Sequence, residues 1–201
     1  MNPDYEPLID GLLTNGYGVM DGFLSSSETT ALSTCLRSRR EAGQFRLAGV
    51  GNQRVTVETA IRGDEIHWLD EATAVPAETA FLERVGQLVQ YLNQTCYLGL
   101  RDHEFHYALY PIGTFYKRHL DQFRSDSRRK FSVVCYLNAD WQDTDGGQLA
   151  LYLPGADGSE RQITVAPVGG RLVCFDSGQV EHTVLLATRD RLSLTGWLKT
   201  V

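Results

Sequence analysis

The sequence predicts a mostly β chain with supporting α-helices. Two facing sheets would form a double-stranded β-helix (jelly-roll) barrel, with the helices packed on one sheet. Three observations carry that prediction. The first hundred residues hold two amphipathic helical stretches. From about residue 103, short β-prone runs alternate with turns at Pro111 to Thr114, Asp143 to Gly147, Pro154 to Gly158 and Gly169-Gly170. The length of 201 residues suits one domain with a buried core. That domain is expected to span 1–201, with helical support and a mobile loop or hairpin in 1–100 and the barrel core, carrying a metal site, in 101–201.

The elements follow in chain order. Met1 to Asp10 lacks the basic–apolar pattern of a leader, and no apolar run approaches membrane-spanning length. Ser25 with Glu28 makes a capping box ahead of Ala31, Leu32, Cys35 and Leu36, and Gly43 is the stop. Phe45 to Asp64, rich in glycine and polar residues around Val55 and Val57, reads as a loop or hairpin able to fold over a site. Pro76 opens the second helix, where Phe81, Leu82, Val85, Leu88, Val89 and Leu92 fall on one face. The β runs Phe115 to Asp121, Phe131 to Leu137, Val180 to Leu186 and Arg191 to Leu198 come after it.

Charge and cysteines exclude some function classes. A net charge of −6 disfavours wholesale nucleic-acid binding. The basic clusters Arg37 to Arg40 and Arg124 to Lys130 read as solvated surface. Cys35, Cys96, Cys135 and Cys174 are widely spaced without a Cys-x-x-Cys, which suits reduced thiols. The expectation is a soluble cytoplasmic protein that binds neither nucleic acid nor membrane.

The chemistry sits in His119-Leu120-Asp121, followed by His182 and Arg191. Strand side chains alternate faces, so His119 and Asp121 project together while Leu120 points away. His182 is expected on a second, non-adjacent strand, completing one triangular face of an octahedron. Two imidazoles and a carboxylate form the ligand set of a mononuclear non-haem iron site that keeps positions open for oxygen chemistry. A lone His-x-Asp recurs by chance; the third ligand, with an arginine nine residues beyond it, makes the set specific. Leu192, Leu194 and Gly196 are placed on one face of the last run, and Arg191, Ser193, Thr195 and Trp197 on the other. The planar fork of Arg191 suits bidentate binding of a co-substrate carboxylate. Read alone, Arg191 is equally a solvated strand-end residue. His103 and His106 read as satisfied structural histidines, and His67 has no assignment.

These residues carry a resemblance. The chain resembles the prolyl-hydroxylase branch of the iron(II)- and 2-oxoglutarate-dependent dioxygenases, including the oxygen-sensing prolyl hydroxylases of animals and their bacterial relatives. The likeness runs from Ile61-Arg62-Gly63-Asp64-Glu65-Ile66-His67-Trp68 through Tyr110-Pro111, the Gly113 turn and Arg118-His119-Leu120-Asp121. It continues through Tyr136-Leu137-Asn138, Gly146-Gly147-Gln148-Leu149, His182 with its following Thr-Val, and Arg191 to Trp197. The loop between Tyr110 and His119 is one residue shorter than in the animal enzymes, so equivalences inside it are open.

The resemblance implies that His119, Asp121 and His182 hold Fe(II) and act in catalysis through it. It implies that Arg191 and Tyr136 bind the distal carboxylate of 2-oxoglutarate, that Tyr110 lines the pocket, and that Thr195 and Trp197 form its wall. Asp64 and Arg129 match a charged pair positioning the mobile segment before Asp64. Each has a plainer reading: Tyr136 as a core aromatic, Arg129 as part of a solvated turn. The implied co-substrates are 2-oxoglutarate and O2, with ascorbate as a candidate reductant. The implied reaction hydroxylates a prolyl residue of a protein or peptide, releasing succinate and carbon dioxide. Related halogenases replace the carboxylate ligand by a small residue, so Asp121 argues for hydroxylation.

By family analogy a translation factor such as elongation factor Tu is a candidate partner. Three alternatives stand beside this reading. One is oxidation of free proline or another small molecule. A second is nucleic-acid demethylation, against which Trp197 occupies the place of a second arginine. The third is a non-catalytic metal- or metabolite-binding module, which would need neither an intact triad nor Arg191.

Overall fold

The computed structural model describes residues 5–49, 56–122, 127–155 and 157–200. Expectations for 50–55 within the loop, and for Arg124 in the second basic cluster, fall outside those residues.

Helix α1 (Glu6–Asn15) is an element that the sequence reading did not predict. Pro7 sits in its first turn, Leu8 and Ile9 are buried, and Gly16 closes it in the left-handed region at φ 76°. Strand β1 (Tyr17–Met20) follows. Helix α2 (Ser26–Glu41) starts at the expected capping box. The Glu28 N–H donates to Ser25 Oγ at 3.3 Å, and the Ser25 N–H donates to Glu28 Oε2 at 2.8 Å. Beyond β2 (Arg46–Leu47) and β3 (Glu65–Trp68), helix α3 (Pro76–Cys96) begins at the predicted proline. Its Phe81, Val85, Leu88 and Leu92 are buried, while Leu82 and Val89 pack at the edge of the same core. No described helix is long and apolar enough to cross a membrane.

The remaining strands are β4 (Asp102–Tyr110), β5 (Tyr116–His119), β6 (Arg129–Tyr136), β7 (Leu149–Pro154), β8 (Glu160–Val165), β9 (Leu172–Asp176), β10 (Glu181–Val184) and β11 (Arg191–Lys199). They form two antiparallel sheets, one ordered β1-β9-β6-β11-β4-β3-β2 and the other β5-β10-β7-β8. Three strands of the larger sheet thus come from the first hundred residues.

Alternation along the larger sheet divides the molecule into two cores. Phe105, Tyr107, Leu109, Val133, Cys135, Cys174, Leu192 and Leu194 face the helices. Ala108, Tyr110, Val134, Tyr136, Val173 and Phe175 face the smaller sheet and meet Leu149, Leu151, Leu153, Val165 and Val184. Each fully buried apolar side chain of this kind contributes about 1.5–3 kcal/mol. The helices therefore brace the outer face of the larger sheet, and polar residues on its inner face are held in a closed space between the sheets.

Candidate metal centre

Strands β5 and β10 pair antiparallel with His119 opposite His182. The expectation of non-adjacent strands is corrected here: the two are far apart in sequence but hydrogen-bonded neighbours in the smaller sheet. Strand β5 ends at His119, and Asp121 lies in the bend just beyond it. One ligand atom from each of His119, Asp121 and His182 lies within 4.8 Å of the other two. His119 Nε2 is 3.5 Å from Asp121 Oδ1, and His182 Nε2 is 3.5 Å from Asp121 Oδ2.

The surroundings fix these side chains in ligand form. His119 Nδ1 is 2.7 Å from the Lys117 carbonyl and His182 Nδ1 is 3.3 Å from the Val180 carbonyl. A carbonyl can only accept, so this assigns the ring proton to Nδ1 and turns the Nε2 lone pair toward the centre. The Tyr116 ring stacks on His119 at 3.6 Å between centroids, and Phe175 meets His182 edge-on at 4.7 Å. Burial pushes the His182 pKa down to about 4, keeping the imidazole neutral. Burial alone would raise Asp121, yet His182, His119 and the Ser132 hydroxyl hold it well below the usual carboxylate range. Two neutral imidazoles and an ionised carboxylate are the protonation states that a divalent metal requires.

Arg191, opposite Tyr110 in the β11–β4 pairing, is only 1% exposed. Its Nε donates to the Gly147 carbonyl at 2.9 Å, and its guanidinium lies 5.1 Å and 5.0 Å from the ring centres of Tyr110 and Tyr136. Among the described residues no carboxylate lies within ion-pair distance of it. A buried cation without a counter-charge is costly, so the site is built for an anion. The Tyr136 hydroxyl, fully buried and without a hydrogen-bond partner in the structure, sits beside it. Burial raises the pKa of both Tyr110 and Tyr136, which keeps the phenols as donors. The Gly146-Gly147 turn, at φ 67° and 64°, brings the Gly147 carbonyl under Arg191.

One cavity joins these parts. Its lining includes the three ligand residues together with Tyr110, Arg191, Thr195 and Trp197, and also Arg62, Asp64 and His106. Tyr136, whose ring centre is 5.0 Å from the Arg191 guanidinium, is not part of that lining. A larger groove elsewhere, between α1 and the edge of the sheets, brings Lys130, Arg161 and Asp176 beside apolar residues but contains none of this constellation.

The structure does not form the Asp64–Arg129 pair. Asp64 is instead held by Arg62, with Nε–Oδ1 at 2.7 Å and Nη2–Oδ2 at 2.5 Å. Arg129 donates to Glu104 at 3.0 Å and lies 3.5 Å over the Trp197 ring. Arg62, two residues from Asp64 in sequence and on the cavity wall with it, takes the carboxylate, while Arg129 is engaged by Glu104 and Trp197.

His106 is a third correction. It lines the cavity at 3% exposure between Trp68 (4.7 Å) and Trp197 (5.6 Å), and its Nδ1 has no partner, so it is not a satisfied structural histidine. His103 and His67 lie outside the site; His67 Nδ1 is 3.1 Å from the Gln44 carbonyl. Sequence reasoning also missed Arg62, which lies over Tyr116 at 4.3 Å, and Ser132, whose hydroxyl donates to Asp121. The inward period of β4 and β6 is the signal that could have found His106 and Ser132.

Comparison with known proteins agrees with this geometry. Residues 105–199 match the family model of the 2OG-Fe(II) oxygenase superfamily. The chain is similar to a prolyl-4-hydroxylase of Pseudomonas putida, with 44% identity and a TM-score of 0.86, covering 98% of this chain and 100% of that one. A prolyl hydroxylase of Trichoplax adhaerens, solved with a peptide of the hypoxia inducible factor oxygen degradation domain, is 29% identical with a TM-score of 0.80, covering 96% and 88%. The hypoxia-inducible factor prolyl hydroxylase of Caenorhabditis elegans is 28% identical over 96% of this chain and 28% of its own length. Human Egl nine homolog 1 is 26% identical over 96% of this chain and 46% of its own length. This chain therefore spans less than half the length of the last two relatives.

Proposed function

The chain belongs to the prolyl 4-hydroxylase family of iron(II)- and 2-oxoglutarate-dependent oxygenases, and we propose that it hydroxylates a prolyl residue of a protein or peptide. The observation that carries this reading is a buried Arg191 lacking a protein carboxylate, facing the same cavity as a His–Asp–His triad. Bound iron(II), 2-oxoglutarate and O2 together supply an oxidant that replaces C–H by C–OH, with succinate and carbon dioxide as co-products.

The chain's own residues do the rest. His119, Asp121 and His182 would hold the metal through two Nε2 atoms and a carboxylate oxygen. Arg191 would clamp the distal carboxylate of 2-oxoglutarate, with the Tyr136 hydroxyl as a further donor. Tyr110, Thr195 and Trp197 would wall the keto acid from solvent. The peptide reading is supported by the peptide-bound Trichoplax relative, and by the placement of Arg62 and Asp64, at the end of the 45–64 segment, on the cavity wall. A translation factor such as elongation factor Tu is the partner we would try first, with ascorbate as external reductant. Four free cysteines support a reducing, cytoplasmic setting.

The test is anaerobic loading with iron(II) and 2-oxoglutarate, then succinate release on oxygenation with prolyl peptides. Peptide-stimulated succinate and a hydroxylated peptide are expected from the wild type, and neither from His119→Ala or His182→Ala. Turnover retained in His119→Ala would remove the mechanism. Stimulation by free proline but by no peptide would transfer the reading to a small-molecule hydroxylase.

A further inference from the structure

We propose that Ser132 and Ser177 form a buried hydroxyl relay that fixes which oxygen of Asp121 meets the metal. The inference rests on the metal-centre reading above and extends it to residues not in direct contact with the ion.

Ser132 Oγ lies 2.7 Å from Asp121 Oδ2 and 2.9 Å from Ser177 Oγ, and both serines are fully buried. An ionised carboxylate only accepts, so the single Ser132 proton goes to Asp121, and the Ser177 hydroxyl must donate to Ser132. The direction of the relay is thereby set from Ser177 through Ser132 to Asp121.

Ser177 is itself held on both sides. Its N–H donates to the Lys130 carbonyl at 3.1 Å, and its carbonyl accepts from the N–H of Gln122, the residue after Asp121, at 3.0 Å. The Gln122 side chain donates to the Arg129 carbonyl at 2.9 Å. Ser177 thus ties together the bend carrying Asp121, the start of β6, and the turn that leads into β10 and His182.

The consequence is a count of coordination positions. Asp121 presents both oxygens toward the histidines, at 3.5 Å each. If both bound the ion, the protein would fill a position that the co-substrates need. The Ser132 hydrogen bond engages Oδ2 and leaves Oδ1 as the single carboxylate ligand. Three protein ligands then leave half of an octahedron, room for a keto acid binding through two atoms and for O2. Ser132 and Ser177 are positioning residues for the ligand, not catalytic ones.

The experiment titrates Co(II) anaerobically into metal-free wild type, Ser132→Ala, Ser132→Thr and Ser177→Ala, following the ligand-field spectrum and the metal-free melting temperature. We expect Ser132→Ala to weaken Co(II) binding by about 10- to 100-fold and to alter the spectrum. Ser177→Ala should produce a smaller loss in the same direction, and Ser132→Thr, which keeps the hydroxyl, should restore both. A purely structural serine would lower the melting temperature and leave the spectrum alone. Wild-type affinity and spectrum in Ser132→Ala would overturn the relay while leaving the triad standing; should that variant not fold, the same result in Ser177→Ala would do so. Failure of the wild type to take up Co(II) would overturn the metal centre itself, and the relay with it.

Discussion

Arg191 is the residue whose energetics are most informative, because its burial opposes folding until an anion arrives. The guanidinium lies between two phenol rings, with the Gly147 carbonyl and, at 3.5 Å, the Ser193 hydroxyl as its neutral partners. Replacing a buried charge that lacks a counter-ion by a similar-sized apolar side chain is commonly neutral or stabilising. Arg191→Met should therefore melt no lower than wild type when free of ligands. It should also lose the extra thermal stability that 2-oxoglutarate gives the metal-loaded protein. A bidentate, charge-assisted clamp contributes about 3 kcal/mol, so the keto acid affinity should fall by roughly 100-fold. Arg191→Lys should fall between the two, since a lysine offers a point charge in place of a fork. Melting curves with and without 2-oxoglutarate decide it; a ligand-induced shift in Arg191→Met equal to that of wild type would remove the carboxylate anchor.

At the scale of elements, β11 carries most of the demands. It is central in the larger sheet, pairs with β4 and β6, and supplies Arg191, Thr195 and Trp197 to the cavity. Gly196 lies in the middle of that strand, where a Cβ would sit 2.2 Å from the Glu104 carbonyl and 2.5 Å from the Phe105 ring. Backbone cannot yield there without separating β11 from β4, so Gly196→Ala should destabilise by about 3 kcal/mol. Chemical denaturation checks this; a change within 0.5 kcal/mol, about that of an exposed site, would mean that the two strands are not so tightly packed.

Element by element, what was legible in the sequence was what is encoded locally. The Ser25–Glu28 box, the apolar stripe of α3, and the alternation of Leu192 and Leu194 against Arg191 and Thr195 each depend on spacing within one segment. The pairing of Asp64 with Arg62 rather than Arg129, and the adjacency of β5 and β10, depend on how segments meet, which spacing does not record. Helix α1 had its local signals in Pro7 and Gly16, but its ten residues are stabilised by Leu8 and Ile9 packing on the sheet more than by propensity.

For the molecule as a whole, the space between the sheets imposes a pH dependence. His106 is enclosed there, and burial brings its pKa down from 6.5 to about 4. Asp64 and Asp121 oppose that shift, while Arg62 and Arg129 add to it. The unfolded chain therefore binds a proton near pH 6.5 that the folded protein accepts only near pH 4. Stability is full above the unfolded value and falls as pH drops through that window. A shift from 6.5 to about 4 corresponds to roughly 3 kcal/mol at the acid end. His106→Phe keeps an aromatic ring between Trp68 and Trp197 without a titrating group, and should flatten that part of the curve. Denaturation midpoints of the metal-free protein from pH 7.5 to 4 measure it, and an equally steep decline in His106→Phe would locate the acid sensitivity elsewhere. Loading with metal should deepen the loss of stability in acid, because protons compete with the metal for its ligand atoms. His182, whose pKa burial also brings down to about 4, adds its own share to the metal-free decline, so it is the part of that decline lost in His106→Phe that belongs to His106.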